Sequence, residues 1–277
     1  MMAKNEFADF ARLITALEPW LPQIVIVGGW AHRLCRFHEH AQPLDYKPLM
    51  TLDTDVAVPK DLPVGQENIA QRLHQQGFTE SFFGDHQPPV TQYRLGAADD
   101  GFYAEFLTPL DGSGYTRDGQ PDQTVRIAGV SSQKLRYLDI LLQHPWSVVL
   151  VPSDEIRIEK TAVIYIANPT AFIVQKLLIC DRREKTHVAK DVLYIHDTID
   201  LFGARLEDLT KMWKEVVRPN LHSNHIARMR SSISTLFSRV NDIIRDASQI
   251  AQSAGRALTP KDVLEACGVG LEIILHD

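Results

Sequence analysis

Thr51-Leu52-Asp53-Thr54-Asp55-Val56-Ala57-Val58-Pro59 (TLDTDVAVP) alternates in side-chain character and stops at a proline, the pattern of a β-strand. Successive side chains on a strand point to opposite faces, so Leu52, Thr54, Val56 and Val58 share one face while Asp53 and Asp55 share the other. The two carboxylates then stand roughly 7 Å apart at the backbone, given a rise of about 3.3 Å per residue. Left unpaired they repel. A divalent cation, which takes oxygen ligands, resolves the conflict. A solvated, idle Asp-x-Asp on an exposed edge strand is the other reading of the same residues.

Upstream, IVIVGGWA (residues 24–31) reads as a buried strand over 23–27 that runs into Gly28-Gly29 and then a helix over 30–37. Small residues let the backbone approach a ligand closely. A helix N-terminus also offers free N–H groups and a partial positive charge, which suit phosphate oxygens. A tight turn is the plainer account of Gly-Gly taken alone. Downstream, residues 90–95 and 102–107 read as two strands joined by Asp99-Asp100-Gly101, a hairpin turn signal. FYAEFLTPL (residues 102–110) places Glu105 between Ala104 and Phe106 on the second arm. A carboxylate buried there is costly without a partner.

Together, IVIVGGWA and TLDTDVAVP resemble the signature of the DNA polymerase β-like nucleotidyltransferase superfamily. That signature is an apolar residue, Gly, then Gly or Ser, a spacer, and Asp-x-Asp flanked by apolar residues. The resemblance implies a third acid on a neighbouring strand, and Glu105 matches. It further implies two Mg²⁺ (or Mn²⁺) ions held by Asp53, Asp55 and Glu105, with Gly28 and Gly29 holding the β- and γ-phosphates of ATP or another NTP. The implied reaction moves an NMP to a hydroxyl acceptor and releases pyrophosphate. KLRYLDILL (residues 134–142) and NPTAFIVQKLLICDRREKTHVAKDVLYI (residues 168–195) look like bacterial nucleotidyltransferases related to AbiE-type toxins. Those proteins carry a Lys on one helix and a Lys-Asp pair at the start of the next, matched by Lys176 and Lys190-Asp191. That likeness implies a toxin-like role. It leaves open whether the acceptor is tRNA or another RNA, a protein or a small molecule, and whether the partner is an antitoxin or a second copy. The resemblance covers residues 20–200. The spacer between Gly29 and Asp53 is longer than in many superfamily members, so an insert around residues 38–50 is expected to reshape the pocket.

Several further residues carry two readings. Lys176 sits in an otherwise apolar helical stretch, so its ammonium must either snorkel or meet an anion such as a phosphate. Arg182, Arg183, Lys185 and Lys190 form the only basic cluster of the chain; they are either a solvated helix end or a landing site for triphosphate or RNA. Arg94, on the strand that pairs with that of Glu105, either reaches the nucleotide or makes a structural ion pair. His38-x-His40 lacks further metal ligands and is read as structural.

The remaining sequence bounds these readings. The 277 residues are 44% hydrophobic with three cysteines, Cys35, Cys180 and Cys267, far apart and in no ligand spacing. A core of ordinary size without disulfides or zinc follows. A net charge of -6 argues against broad electrostatic binding to nucleic acid. Residues 1–10 do not read as a signal peptide, and the apolar runs are strand-length, so a cytoplasmic protein with no membrane span is expected. The interspersed strands and helices before Asn168-Pro169 predict an α+β catalytic domain, 1–167, with a nucleotidyltransferase-type mixed sheet. Residues 168–277 read as a helical domain. The competing function is a catalytically silent nucleotide-binding or interaction module on the same fold.

Overall fold

The computed structural model describes residues 6–96, 101–153 and 156–276. Helix α1 (Glu6–Leu17) buries Phe10, Leu13, Ile14 and Leu17, spaced i, i+3, i+4, i+7 on one face. It ends at a 3-10 turn that contains Pro19. Strand β1 (Val25–Val27) runs directly into α2 (Gly28–Leu34), and β2 (Asp53–Ala57) follows the 38–50 insert. Helix α3 (Ile69–Gln75) opens with a capping box in which the Asn68 and Gln71 side chains each accept the other's backbone N–H at 2.9 Å. Then come β3 (Phe78–Phe83), β4 (Val90–Leu95), β5 (Tyr103–Pro109), β6 (Thr124–Ile127), β7 (Val130–Leu135), α4 (Leu138–Leu141), β8 (Trp146–Leu150) and β9 (Ala162–Ile166).

These strands form one mixed sheet in the order β3-β4-β5-β2-β1-β9-β8, with β7 pairing β5 and β6. Strand β2 is central, antiparallel to β1 and parallel to β5. Its Thr54 and Val56, with Ala104 and Phe106 of β5, are fully buried on one face. That face is core, so the face bearing Asp53 and Asp55 is the one left for chemistry. Beside the sheet, Trp30 of α2 stacks on Phe10 at 4.2 Å and meets the edge of Phe102 at 5.9 Å.

Two strands, β7 and β3, differ from the sequence expectation. Leu135, Leu138 and Leu142 suggest a helix over 133–142, yet β7 occupies its first part. Ala128 and Gly129, at φ 46° and 92°, make a two-residue turn that returns the chain from β6 as β7, the left-handed pair that tight hairpins require. Strand β7 then pairs with the free end of β5, which no local propensity foretells. Strand β3, unmarked by clear alternation, is held by pairing with β4 along its full length. The expected hairpin of β4 and β5 is present as an antiparallel pair; its turn residues Asp99 and Asp100 lie outside the described residues.

By contact density, Met1–Phe37 with Met50–Ala167 form one compact unit, and His38–Leu49 with Asn168–Asp277 form a second. The second is helical: α5 (Pro169–Ile179), α6 (Lys185–Leu201), α7 (Leu206–Met212), α8 (Ser223–Phe237), α9 (Asp242–Ser253) and α10 (Pro260–Ile274). Asn168 caps α5 by accepting the Ala171 N–H at 2.8 Å, with Pro169 at its first position. On α6, Val188, Val192, Ile195 and Ile199 are buried. The stretch 221–254, which reads as one helix, is broken where Asn241 caps α9 through the Ile244 N–H at 3.0 Å. The 38–49 insert belongs to this unit. Tyr46 donates to Asp200 at 2.7 Å, and its ring lies 3.7 Å from the Arg256 guanidinium, which in turn grips the fully buried Asp197 at 2.6 and 2.8 Å. The chain is thus α+β, a mixed sheet with flanking helices followed by a helical C-terminal region. Among the described residues no helix is long and apolar enough to cross a membrane.

Candidate active site

The strand register assembles the site. Parallel pairing of β2 with β5 sets Asp53 beside Tyr103 and Asp55 beside Glu105, and directly paired residues present their side chains on the same face. Strand β4 continues that face, with Arg94 beside Tyr103 and Gln92 hydrogen-bonded to Glu105. Asp53, Asp55 and Glu105 are all half-buried. On the other flank Val27 pairs with Asp55, so the chain leaves β1 for Gly28 right beside that carboxylate.

Gly28 has φ +65°, and a Cβ built on it would lie 2.2 Å from Asp55 Oδ2. Glycine is therefore required twice over, for its backbone conformation and for the space the carboxylate occupies. Reading the Gly-Gly step as close approach to a ligand misses this neighbour. Gly29 is buried in the first turn of α2, whose start has no side-chain cap.

Two partners that the sequence reading did not single out, Gln92 and Thr51, hold the acids, and Arg94 supports the first of them. Gln92 Nε2 donates to Glu105 Oε1 at 2.8 Å, while the Arg94 guanidinium donates to the Gln92 Oε1. With its oxygen engaged by Arg94, the amide can only turn its nitrogen to Glu105. Thr51 Oγ1 donates to Asp53. Period-two spacing, 51 with 53 and 92 with 94, was the available signal. The Glu105 carboxyl is raised above its ordinary value of 4.5, chiefly by burial; the Gln92 hydrogen bond opposes this, the Asp53 charge adds to it and Arg94 opposes it. Tyr103 is pushed up to about 12, by burial first and then by Asp53, Glu105 and Asp55. One phenol thus feels all three carboxylates.

The raised Glu105 gives a prediction with a definite sign. An acid whose folded pKa exceeds its unfolded value stabilises the fold only while protonated, so stability is lost as pH rises from about 4.5 through the folded pKa. Metal-free Glu105→Gln is expected to be more stable than the parent at neutral pH, with a flatter stability profile above pH 4.5. Gln92→Leu, which removes the opposing hydrogen bond, is expected to steepen that profile. Urea unfolding in chelator across pH reads both; equal slopes in all three proteins would refute the assignment.

The donor set suits a hard divalent ion, being three carboxylates on one face of paired strands. Among the described residues no three His, Cys, Asp or Glu side chains converge as a ready-made metal cage; Asp53 and Glu105 accept protein hydrogen bonds instead.

The other candidates stand as follows. Arg94 lies in the first unit, 5.0 Å from the Tyr103 ring and 5.9 Å from that of Phe83, and steadies Gln92. Lys176 and Lys190 belong to the second unit. Lys176 is 8% exposed and ion-paired with Asp191 at 2.8 Å, against the rings of Phe172 and Tyr194. Lys190 lies 5.7 Å from the Tyr194 ring. His40 sits 3.3 Å from Asp208 and forms an edge contact with His38 at 5.0 Å.

Comparison with known proteins adds a family. Residues 5–218 match the model of a family described as nucleotidyltransferase. No curated protein matches. Among solved structures, the crystal structure of JHP933 from Helicobacter pylori is 10% identical and is matched over 99% of this chain and 94% of that one. Its TM-score of 0.31 is too low for the likeness to carry an argument.

Proposed function

The chain belongs to the nucleotidyltransferase family, and from that premise we propose that it transfers an NMP from ATP or another NTP to a hydroxyl acceptor in a reaction that depends on Mg²⁺ or Mn²⁺. The observation that supports this best is the β2–β5 register, which sets Glu105 beside Asp55 with Asp53 two residues away on the same face. In this reading Asp53, Asp55 and Glu105 hold two ions. Bound there, such ions neutralise phosphate charge and acidify the acceptor hydroxyl. The Gly28 and Gly29 backbone N–H groups orient the β- and γ-phosphates. Gln92 and Arg94 keep the Glu105 carboxylate aimed, and Arg94 adds positive charge to the nucleotide side. Lys176 and Lys190 are further proposed nucleotide contacts, supported only by their match to the Lys and Lys-Asp motif. Residues 1–167 act as the catalytic domain and 168–277 as a helical domain that serves it, in a cytoplasmic, toxin-like enzyme with an antitoxin or a second copy as partner.

The test incubates the protein with each α-³²P-labelled NTP, Mg²⁺ or Mn²⁺, and total cellular RNA and protein, beside an Asp53→Ala/Asp55→Ala control. Label on an acceptor that the control lacks identifies base and acceptor class together. Metal-dependent nucleotide binding without any product, small-molecule acceptors included, would replace this reading with the silent module.

A further inference from the structure

The helical unit contains a second feature suited to phosphate, distinct from the carboxylate face. A cavity of about 350 Å³ lies between the start of α6 and one face of α8. Arg228, Ser231, Ser232 and Thr235 line it from α8, at the i, i+3, i+4, i+7 spacing that puts them on one stripe. Arg183 and Lys185 line it from the other side.

Charge counting shows what this wall lacks. The buried Asp191 is shared by Lys176 at 2.8 Å and Arg183 at 2.9 Å, two cations against one anion, leaving one positive charge unmatched. Arg228 is matched by Asp181, which also lines the cavity. Lys185 makes no ion pair among the described residues, and its exposed neighbour Glu184 does not line the cavity. Two positive charges thus remain locally, in a chain whose net charge is -6. The hydroxyls add donors. Ser232 is 8% exposed and lies 3.2 Å from the Cys180 sulfur, whose one proton also reaches the Leu177 carbonyl at 3.3 Å, while Ser231 and Thr235 are exposed. A wall of cations and uncommitted hydroxyl donors calls for an anion with several acceptor oxygens.

We infer that this cavity is a phosphate-binding site that seats a backbone phosphate of a polynucleotide acceptor. The word acceptor rests on the nucleotidyltransferase reading above; the phosphate chemistry does not. The volume lies near the lower end of ligand cavities, which suits one phosphate with part of its sugar rather than a whole NTP. Contact with so few phosphates is compatible with an acidic protein, because no broad basic face is needed.

The experiment measures binding of a short fluorescein-labelled single-stranded RNA, and of inorganic pyrophosphate as competitor, in chelator without NTP, over a salt series. Lys185→Ala is expected to weaken RNA binding equally for unrelated sequences and to lower the slope of log K against log salt by about 1. Ser231→Ala/Thr235→Ala is expected to weaken binding with the slope unchanged, because hydroxyls carry no charge. Both substitutions are at exposed positions, and circular dichroism checks that each variant folds. Binding is read in chelator without NTP, where no transfer occurs, so failure of the transfer reading and failure of this site are read separately. Binding of pyrophosphate by calorimetry with no RNA binding would overturn the polynucleotide assignment. RNA binding that neither variant weakens, or no binding of either probe, would overturn the site.

Discussion

Asp55→Asn is expected to reduce nucleotide transfer by at least about a hundredfold, more than the loss typical of disturbing a residue that merely supports a metal ligand. The substitution keeps the shape of the side chain, removes its charge and replaces one acceptor oxygen with an amide nitrogen. Asp55 is the sharper choice over Asp53 because it pairs with Glu105 across β2 and β5 and packs against Gly28. An amide there offers one neutral oxygen where a divalent ion requires an anionic one. The fold should not suffer, since the change also removes one of three mutually repelling carboxylates. Transfer rate and Mn²⁺ titration should fall together while unfolding by urea stays at or above the parent's midpoint. A variant that binds Mn²⁺ and transfers nucleotide at the parental rate would remove Asp55 from the site.

Gly28→Ala is expected to damage stability and activity at once. A left-handed backbone costs a residue with a Cβ about 1–2 kcal/mol, and Gly28 sits at φ +65°. The added methyl would also lie 2.2 Å from Asp55 Oδ2, so the carboxylate must swing away or β1 and α2 must separate. Either way Asp55 loses its place beside Glu105. The expected result is a lower unfolding midpoint together with a loss of transfer close to that of Asp55→Asn. Gly29→Ala is the informative comparison, because no left-handed φ is found there. If Gly28→Ala left Mn²⁺ binding intact, the packing of Asp55 on this glycine would be irrelevant to the site.

The two predictions show how differently the parts of the site could be read in advance. Asp53 and Asp55 were legible because strand alternation is a local rule. Two acids at i and i+2 among apolar residues must share a face, whatever the rest of the chain does. Glu105 was legible as an acid set among small and apolar neighbours. The capped start of α5 at Asn168-Pro169 and the apolar stripe of α6 were legible for the same reason, since each depends only on residues within a turn or two. Gln92, Thr51 and Tyr103 were not singled out. Their importance comes from lying across a strand pair or beside a carboxylate, which composition does not mark.

Local periodicity by itself therefore determined most of the elements and the acidic face, and a match to a family signature supplied the expected chemistry; β3, β7 and the break at Asn241 escaped it. What it could not determine was which strands lie side by side. The parallel register that brings Asp55 to Glu105, the return of the chain at Ala128-Gly129 into β7, and the closeness of Asp55 to Gly28 join residues far apart in the chain. Such contacts are chosen by which arrangement buries Val56, Phe106 and Trp30 and pairs the backbone hydrogen bonds of the whole sheet. That is a property of the assembled fold and of no single segment.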